Sequence, residues 1–332
     1  MPKLIIHLGL PKTGTTSLQN WFFPQVSGYL GKHPSPPPTD LSQTDGVRGL
    51  EMALRKAHLD DNWEENLPGL VNQLPFDRYP TMLLSEENFS LWRKRTRHGF
   101  TDSPVQKPFR GETARRGSHP IIQFLAEVRA ALPPKVDLLT VITLRAQKTY
   151  LPSQAAQVGE HQTGQIVRRI IRQRDESILW EKLVRDLENL RGERRHMTLL
   201  FEDGVTTNAR KIVRFGGLEA RGEAFDFECI SAANVRTSGD GRTWSAGTRH
   251  DAQRLRGVDG YLVRVSRKVF GRELPSVSRA YVRLRRLLLE PLANRGVRLK
   301  PRHEALLLTY VTPSNRSLAR HLNRDLQALG YY

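Results

Sequence analysis

Short apolar runs recur along the first 215 residues, and each run ends in a polar or glycine-containing turn. The runs have the length of strands and are almost entirely apolar, which is typical of strands buried on both faces of a parallel sheet. They predict four strands, at 3–9, 79–85, 136–144 and 197–201.

Between and after these runs, apolar residues recur every three or four positions, which is the period of an amphipathic helix. This spacing predicts helices at 17–23, 121–132, 179–190, 281–288 and 318–329. Strands that alternate with helices predict an α/β fold of three layers around a central, mostly parallel sheet. We expect a single domain, with an α/β core over 1–220 and a mainly helical portion over 221–332.

The charge of the chain is strongly positive. Lys and Arg total 52 against 34 Asp and Glu, so the formal net charge is +18. Between residues 264 and 302 there are twelve Lys or Arg and only two acids. This stretch predicts either a solvated basic face or contact with an anionic polymer or membrane surface. No zinc-finger or RNA-binding signature accompanies the charge, so a nucleic-acid partner is not expected.

Two further features bear on the class of protein. The sequence has no apolar run of about 18 residues, which a membrane-spanning helix would need. The apolar stretch at 4–10 is too short for a signal peptide and leads directly into a loop, so we expect a soluble, cytoplasmic protein. The single cysteine, Cys229, excludes an internal disulfide and a cysteine-based zinc site.

The turn after the first predicted strand carries the candidate chemistry. It lies between a strand and a helix and consists of Lys12, Thr13, Gly14, Thr15, Thr16 and Ser17. A glycine lets the backbone approach an anion, and the following helix adds convergent N–H groups. In a Walker A loop the lysine follows the second glycine directly. Here Lys12 precedes Gly14 by two positions, which indicates a phosphate-bearing ligand other than ATP.

This loop, Pro-Lys-Thr-Gly-Thr-Thr-Ser-Leu-Gln, resembles the 5′-phosphosulfate loop of sulfotransferases that use 3′-phosphoadenosine 5′-phosphosulfate (PAPS). A second match follows the third predicted strand, where Arg145 and Ser153 resemble the pair that holds the donor's 3′-phosphate. The pattern Arg-x-Gln-x-x-Tyr-Leu-x-Ser is similar to the corresponding segment of bacterial, carbohydrate-type members. The resemblance implies a P-loop-like fold and PAPS as co-substrate, with 3′,5′-ADP as product and no metal. It assigns donor binding to Lys12, Thr13, Gly14, Thr15, Thr16, Ser17, Arg145 and Ser153.

The same resemblance suggests reacting groups. Lys12 would contact the bridging oxygen between sulfate and phosphate as that bond breaks. For the base that activates the acceptor hydroxyl, Glu87 is favoured because it lies at the end of a predicted strand and aligns with a glutamate of bacterial relatives. Glu86 is the neighbouring alternative, and His7 is a third candidate that could instead have a structural role.

Two other segments resemble parts of the family. Glu202 and Asp203 follow the fourth predicted strand and mimic a Mg²⁺-binding Walker B site, but we interpret them as structural. Ser314-Asn315-Arg316 is similar to a segment near the end of many bacterial relatives. Its role is open, and helix capping by Ser314 is one interpretation.

The sequence therefore predicts transfer of a sulfuryl group from PAPS to a hydroxyl on a carbohydrate or glycoconjugate. Two alternatives stay open. One is a Mg²⁺-dependent P-loop kinase or nucleotidase, whose activity EDTA would abolish. The other is a catalytically silent protein that binds a nucleotide or a polyanion. The acceptor and the oligomeric state are not predicted.

Overall fold

A parallel five-stranded sheet, in the order β2-β3-β1-β4-β5, forms the centre of the computed structural model. The strands are β1 (Lys3–Gly9), β2 (Tyr29–Leu30), β3 (Thr81–Glu86), β4 (Asp137–Leu144) and β5 (His196–Leu200). The structure describes residues 1–10, 12–31, 63–86, 120–157, 163–192, 195–230, 244–245, 296–297 and 299–332.

The predicted α/β class and parallel sheet are confirmed. All four predicted strands form, with ends that differ from the prediction by two residues at most. The apolar runs were informative because β1 and β4 are buried along nearly their whole length. The sequence missed β2, because a two-residue strand is too short to show a period.

Helices connect the strands. They are α1 (Thr15–Ser17), α2 (Trp63–Asn72), α3 (Pro120–Ala131), α4 (Gln147–Gln157), α5 (Thr163–Gln173), α6 (Trp180–Arg191), α7 (Val205–Gly216) and α8 (Pro301–Leu322). Short 3₁₀ turns lie at Glu176–Ile178, Phe201–Asp203 and Glu228–Ile230. The two-residue strands β6 (Trp244–Ser245) and β7 (Gly296–Val297) pair with each other in antiparallel fashion.

The helix predicted at 17–23 is irregular. After α1 the chain forms a π-helical turn over Leu18–Phe22 and a 3₁₀ turn over Phe23–Gln25. Pro24 ends the regular hydrogen bonding, because it has no backbone N–H to donate. The spacing of apolar residues therefore located a helical segment but not its type.

The helix predicted at 318–329 is wrong in its placement. The helix α8 ends at Leu322, and Asn323 adopts a left-handed conformation with φ of 49°. Leu326 is buried in the turn that follows, so its apolar spacing reflects packing and not helix. Ser314 lies inside α8 and does not cap it. The helix predicted at 281–288 lies outside the described residues.

The core lies on both faces of the sheet. On one face, Ile5 and Val141 of adjacent strands pack with Phe22, Phe23 and Ile212, which belong to the segment after β1 and to α7. The alternate side chains of β1 are buried too, and α6 contacts β4. The predicted three-layer arrangement therefore has the buried sheet that it requires.

The chain divides into two compact units, each built from separate segments. Unit 1 consists of Met1–Ala146, Gln173–Val235 and Tyr310–Tyr332, and it contains the five-stranded sheet. Unit 2 consists of Gln147–Arg172 and Arg236–Thr309, and it contains α4, α5 and the β6–β7 pair. The division into a core over 1–220 and a helical portion over 221–332 of one domain stays a prediction.

Across the described residues, the helices fall short of the length and apolar character that a membrane crossing requires.

Candidate functional site

The strand order defines a particular edge of the sheet. Because β1, β3, β4 and β5 are parallel, their carboxyl ends lie at the same edge. From β1 the chain continues to β2 and β3 on one side, whereas from β4 it continues to β5 on the other. The order therefore reverses between β1 and β4, and open α/β sheets bind ligands at such a switch point. The loop with Lys12 follows β1, and Arg145 follows β4.

The backbone of the loop after β1 has two left-handed residues. Lys12 has φ of 66° and Gly14 has φ of 83°. A turn of this kind can direct successive N–H groups toward one anion. Gly14 is also the residue that precedes α1, and it has no side chain with which to cap the first N–H groups of the helix. The loop therefore has a backbone conformation that is compatible with an anion-binding turn.

Two threonines of the loop stabilise its shape. The buried Thr13 donates a hydrogen bond from Oγ1 to the carbonyl of Leu10 at 2.6 Å, and Thr15 Oγ1 lies 3.5 Å from the same carbonyl. The side chain of Thr15 packs on Gly9, where an added Cβ would lie 2.5 Å from Thr15 Cγ2. Both hydroxyls thus have protein partners, and their predicted contact with a phosphate stays a prediction.

The guanidinium of Arg145 joins the end of β4 to this loop. Arg145 is buried, and its Nη1 donates to the carbonyl of Lys12 at 2.8 Å. Its Cζ lies 4.3 Å from the centre of the Phe201 ring, an attractive cation–π contact. The carbonyl of Arg145 accepts a hydrogen bond from Trp180 Nε1 at 2.8 Å. A positive charge is therefore held at the switch point by several contacts.

The two acids after β5 are occupied by protein partners. Glu202 accepts hydrogen bonds from the backbone N–H of Ala146 at 2.9 Å and from the hydroxyl of Tyr331 at 3.1 Å. Asp203 receives two hydrogen bonds from the guanidinium of Arg324 and one from Lys211. These contacts favour the structural interpretation over a Mg²⁺ site. Among the described residues there is no group of three His, Cys, Asp or Glu side chains that could hold a metal.

Burial and hydrogen bonding set the pKa values of these two acids in opposite directions. Desolvation raises the pKa of Glu202, although its hydrogen bonds and the nearby Arg145 oppose the rise. The pKa of Asp203 is lowered, mainly by the hydrogen bonds from Arg324. The hydrogen bonds to Glu202 and the charge of Arg145 therefore favour its ionised form against desolvation, whereas Asp203 is stabilised as an anion.

His7 lies within the sheet. It pairs with Ser85 of β3, and its Nδ1 is 2.9 Å from Ser85 Oγ. Gln19 donates to both the carbonyl and the hydroxyl of Ser85 at 3.1 Å. His7 is fully buried, and desolvation lowers its pKa to about 3, so the imidazole is neutral at pH 7. Its Nε2 has no hydrogen-bond partner among the described residues.

The structure brings together part of the predicted donor site. Lys12, Thr13, Gly14, Thr15, Thr16 and Ser17 form the loop and the start of α1 in unit 1, with Lys12 and Thr16 exposed. Arg145 contacts this loop directly. Ser153 is buried in α4 and belongs to unit 2, so the pairing of Arg145 with Ser153 stays a prediction.

The carboxylates predicted as bases are only partly described. Glu86 is the last residue of β3 and pairs with Leu8 of β1, so its backbone lies at the carboxyl edge of the sheet. Glu87 lies outside the described residues. The assignment of the base to Glu87, Glu86 or His7 therefore stays a prediction.

Sequence reasoning missed three residues of this region. Gln19 and Ser85 form the hydrogen-bonded group with His7, and Phe201 lies under the guanidinium of Arg145. Gln19 ends the loop motif and Ser85 ends the second predicted strand, so their places in the sequence were a usable signal. Phe201 directly precedes the acid pair at the end of a strand, but nothing in the sequence indicates which cation it contacts.

Comparisons with known proteins add little. No family model matches the chain, and no curated protein matches it. The crystal structure of a sulfotransferase from Alicyclobacillus acidocaldarius is similar over 83% of this chain and 98% of that chain, with 12% identity and a TM-score of 0.35. Because this TM-score is low, the match does not establish a shared fold, and the fold assignment rests on strand order and register.

Proposed function

We propose that this protein is a sulfotransferase that moves a sulfuryl group from PAPS to a hydroxyl acceptor. The observation that carries the proposal is the contact between Arg145 and the loop carbonyl of Lys12 at the switch point of the sheet. It joins the loop after β1 to Arg145, and both resemble parts of a sulfotransferase donor site. Because they follow neighbouring strands, one ligand with two phosphate groups can contact both.

The residues of the loop suit the 5′-phosphosulfate of such a donor. Lys12 is exposed beside a backbone of anion-binding conformation. Arg145 has five N–H donors, so the side chain that donates to Lys12 can also contact a phosphate. A divalent metal is not needed to explain how these groups would hold the donor.

The chemistry that these residues would perform is an in-line displacement. The acceptor oxygen forms a bond to sulfur as the bond from sulfur to the bridging oxygen breaks, and that oxygen leaves on the 5′-phosphate of 3′,5′-ADP. The leaving phosphate gains negative charge, which Lys12 would stabilise. The proton of the acceptor hydroxyl passes to a carboxylate base.

Glu87 is the base that we favour, with Glu86 as its neighbour. Glu86 ends β3 at the same edge of the sheet as the loop, and Glu87 follows it in sequence. His7 suits this role less well, because it is fully buried and its pKa is about 3. A general base must reach the acceptor proton and have a pKa near the working pH.

The proposed acceptor is a carbohydrate or glycoconjugate. The similarity of the segment from Arg145 to Ser153 to bacterial carbohydrate-type members supports it. The net charge of +18 also favours an anionic polymer or surface as a partner. Two basic residues of the stretch 264–302, Lys300 and Arg302, lie among the described residues, and both are exposed.

Calorimetry with three nucleotides tests the proposal. We expect wild-type protein to bind 3′,5′-ADP at least about tenfold more tightly than 5′-AMP or ATP, because only 3′,5′-ADP carries phosphates for both segments. Arg145→Ala should abolish most of this preference. The matched control is Arg129→Ala, since Arg129 donates to the carbonyl of Val136 just before the opposite end of β4.

The outcomes separate the alternatives. Preferential binding of ATP with Mg²⁺ would contradict the proposal and indicate a kinase or nucleotidase. Binding of 3′,5′-ADP without any transfer of sulfate from PAPS to water or sugars, and with no effect of Glu87→Ala on binding, would indicate a silent binding protein. Equal losses in Arg145→Ala and Arg129→Ala would show a general effect on folding.

A further inference from the structure

Asn315, the central residue of the Ser-Asn-Arg segment in α8, has a contact that the proposed reaction does not explain. It is fully buried, and its Nδ2 donates to the carbonyl of Tyr331 at 2.8 Å. The two residues are 16 positions apart, so this hydrogen bond fixes the chain after α8 against the helix. The Ser-Asn-Arg segment therefore holds Tyr331 in place.

Tyr331 in turn contacts an acid beside the candidate site. Its ring is 1% exposed, and its hydroxyl donates to Glu202 Oε2 at 3.1 Å. The other carboxylate oxygen of Glu202 accepts from the backbone N–H of Ala146 at 2.9 Å. One carboxylate thus links Tyr331 to the residue that follows Arg145.

The last contact leads to the loop. Arg145 precedes Ala146, attracts the charge of Glu202 and donates to the carbonyl of Lys12 at 2.8 Å. Lys12 has a left-handed backbone, which is unfavourable for a residue other than glycine and needs support from its surroundings. The contacts from Asn315 to Lys12 all lie within unit 1.

We propose that Tyr331 and Glu202 are positioning residues for donor binding, which hold the backbone after β4 so that Arg145 keeps the Lys12 loop in its anion-binding conformation. This role rests on the proposed function only where it predicts nucleotide affinity. Its effect on the order of the loop is a property of the free protein. Neither residue needs to touch the donor.

The charge of Glu202 supplies a readout that general packing would not give. The groups that face this carboxylate are Arg145, Tyr331 and the N–H of Ala146, and Asp203 beside it is paired with Arg324 and Lys211. An ionised carboxylate accepts both hydrogen bonds, whereas a protonated one loses acceptor capacity. The tyrosine hydroxyl lowers the pKa of Glu202, so its removal raises that pKa further. As the pH falls, the variant that lacks this hydroxyl should therefore lose loop order at a higher pH than wild type does.

Hydrogen exchange of the free protein tests the inference. In Tyr331→Phe, peptides that cover residues 12–18 should exchange about fivefold faster than in wild type at pH 7, because the hydrogen bond from Tyr331 to the Glu202 carboxylate is lost. The control is Tyr332→Phe, which removes a hydroxyl from the next residue, a partly exposed tyrosine whose ring lies 5.7 Å from the Arg316 guanidinium. After correction for the intrinsic exchange rate, the protection of these amides should be lost on acidification at a higher pH in Tyr331→Phe than in wild type.

A second variant and a second measurement complete the test. Glu202→Gln keeps the size of the side chain and removes its charge, so the loop should exchange faster and without the pH dependence. The affinity for 3′,5′-ADP should weaken about fivefold in both variants. Unchanged exchange of residues 12–18 in both would overturn the inference, whether or not the nucleotide binds. Failure of wild type to bind 3′,5′-ADP would instead contradict the proposed function.

Discussion

Lys12 combines a backbone constraint with an exposed charge. Its φ of 66° turns the chain between β1 and α1, and Arg145 holds its carbonyl, while its side chain reaches the surface of the loop. Because the backbone contact does not involve the ammonium group, the charge of Lys12 can be removed without loss of that hydrogen bond. At the residue scale, binding and catalysis can therefore be tested separately.

Substitution of Lys12 by Met should affect the reaction more than the binding of product. Under the proposed function, we expect hydrolysis of PAPS to 3′,5′-ADP to slow by about 100-fold, because the charge proposed to stabilise the leaving group is lost. The affinity for 3′,5′-ADP should weaken by less than about tenfold, since the loop backbone and Arg145 remain. Rates and calorimetric affinities measured on the same preparation check this. Equal losses in both quantities would show that Lys12 acts through binding alone.

The buried His7 should make stability depend on pH. Its pKa is lowered to about 3 in the folded protein, so between about pH 6.5 and pH 3 the unfolded chain binds one more proton at this residue. Stability is therefore lost as pH falls below about 6.5, by about 1.4 kcal/mol per pH unit for one such histidine. His196, with a pKa of about 3 from burial, adds a second proton.

Urea denaturation of wild type and His7→Gln between pH 6.5 and pH 5 measures this contribution. The free energy of unfolding of wild type should fall more steeply than that of the variant, by about 1.4 kcal/mol per pH unit. Above pH 7.5 both profiles should run parallel. Identical slopes below pH 6.5 would mean that His7 is protonated in the folded state.

At the scale of elements, the residues of the candidate site lie at the carboxyl ends of parallel strands. The loop after β1, Glu86 at the end of β3, Arg145 after β4 and the turn Phe201–Asp203 after β5 all lie at one edge of the sheet. Strand register alone determines this, because the carboxyl ends of parallel strands coincide. The connection from β1 into α1 is the most restricted of these elements, since Thr15 packs directly on the backbone of Gly9.

Gly9→Ala should destabilise the end of β1. The new Cβ would lie 2.5 Å from Thr15 Cγ2 and Oγ1, so the loop or the strand must shift. We expect the free energy of unfolding to fall by about 1–3 kcal/mol, as in other overpacked sites. Gly222→Ala is the control, because an added Cβ there meets nothing within 4 Å. Equal stability of the two variants in urea would show that the loop adapts at no cost.

At the scale of the molecule, unit 1 is assembled from three separated chain segments. Contacts between these segments include the hydrogen bonds of Arg324 with Asp203 and of His321 with Glu188. Asp203 is 121 positions away from Arg324, and its pKa is lowered chiefly by that arginine. Such contacts hold the segment Tyr310–Tyr332 next to the turn after β5.

Arg324→Ala should lower the free energy of unfolding by about 1 kcal/mol at pH 7, because a bidentate pair is lost while Lys211 still contacts Asp203. The modest size reflects the exposure of the Arg324 side chain, which is 39%. Because the folded-state pKa of Asp203 is lowered, the contribution of the pair is present above its unfolded value and disappears as pH falls through the folded pKa. Urea titrations of this variant and of the exposed Arg320→Ala, at pH 7 and in acid, check both statements. No loss relative to Arg320→Ala would show that the pair is solvent-screened.

The sequence by itself determined the α/β class, the four longer strands and the glycine-containing turn between β1 and α1. These follow from local properties: buried parallel strands are continuous apolar runs, and a tight anion-binding turn needs glycine between a strand and a helix. Local properties failed where long-range packing decides. The leucine spacing over 318–329 predicted a helix, but Asn323 ends it and Leu326 is buried by tertiary contacts.

Only the tertiary structure decided which side chains meet. The sequence assigned Arg145 to a phosphate, and the structure adds its hydrogen bond to Lys12, 133 positions away. It placed His7 in the interior, where desolvation keeps it neutral, and it gave the Ser-Asn-Arg segment a partner in Tyr331. The physical reason is that hydrogen-bond partners distant in sequence depend on strand order and register. Local residue patterns contain neither.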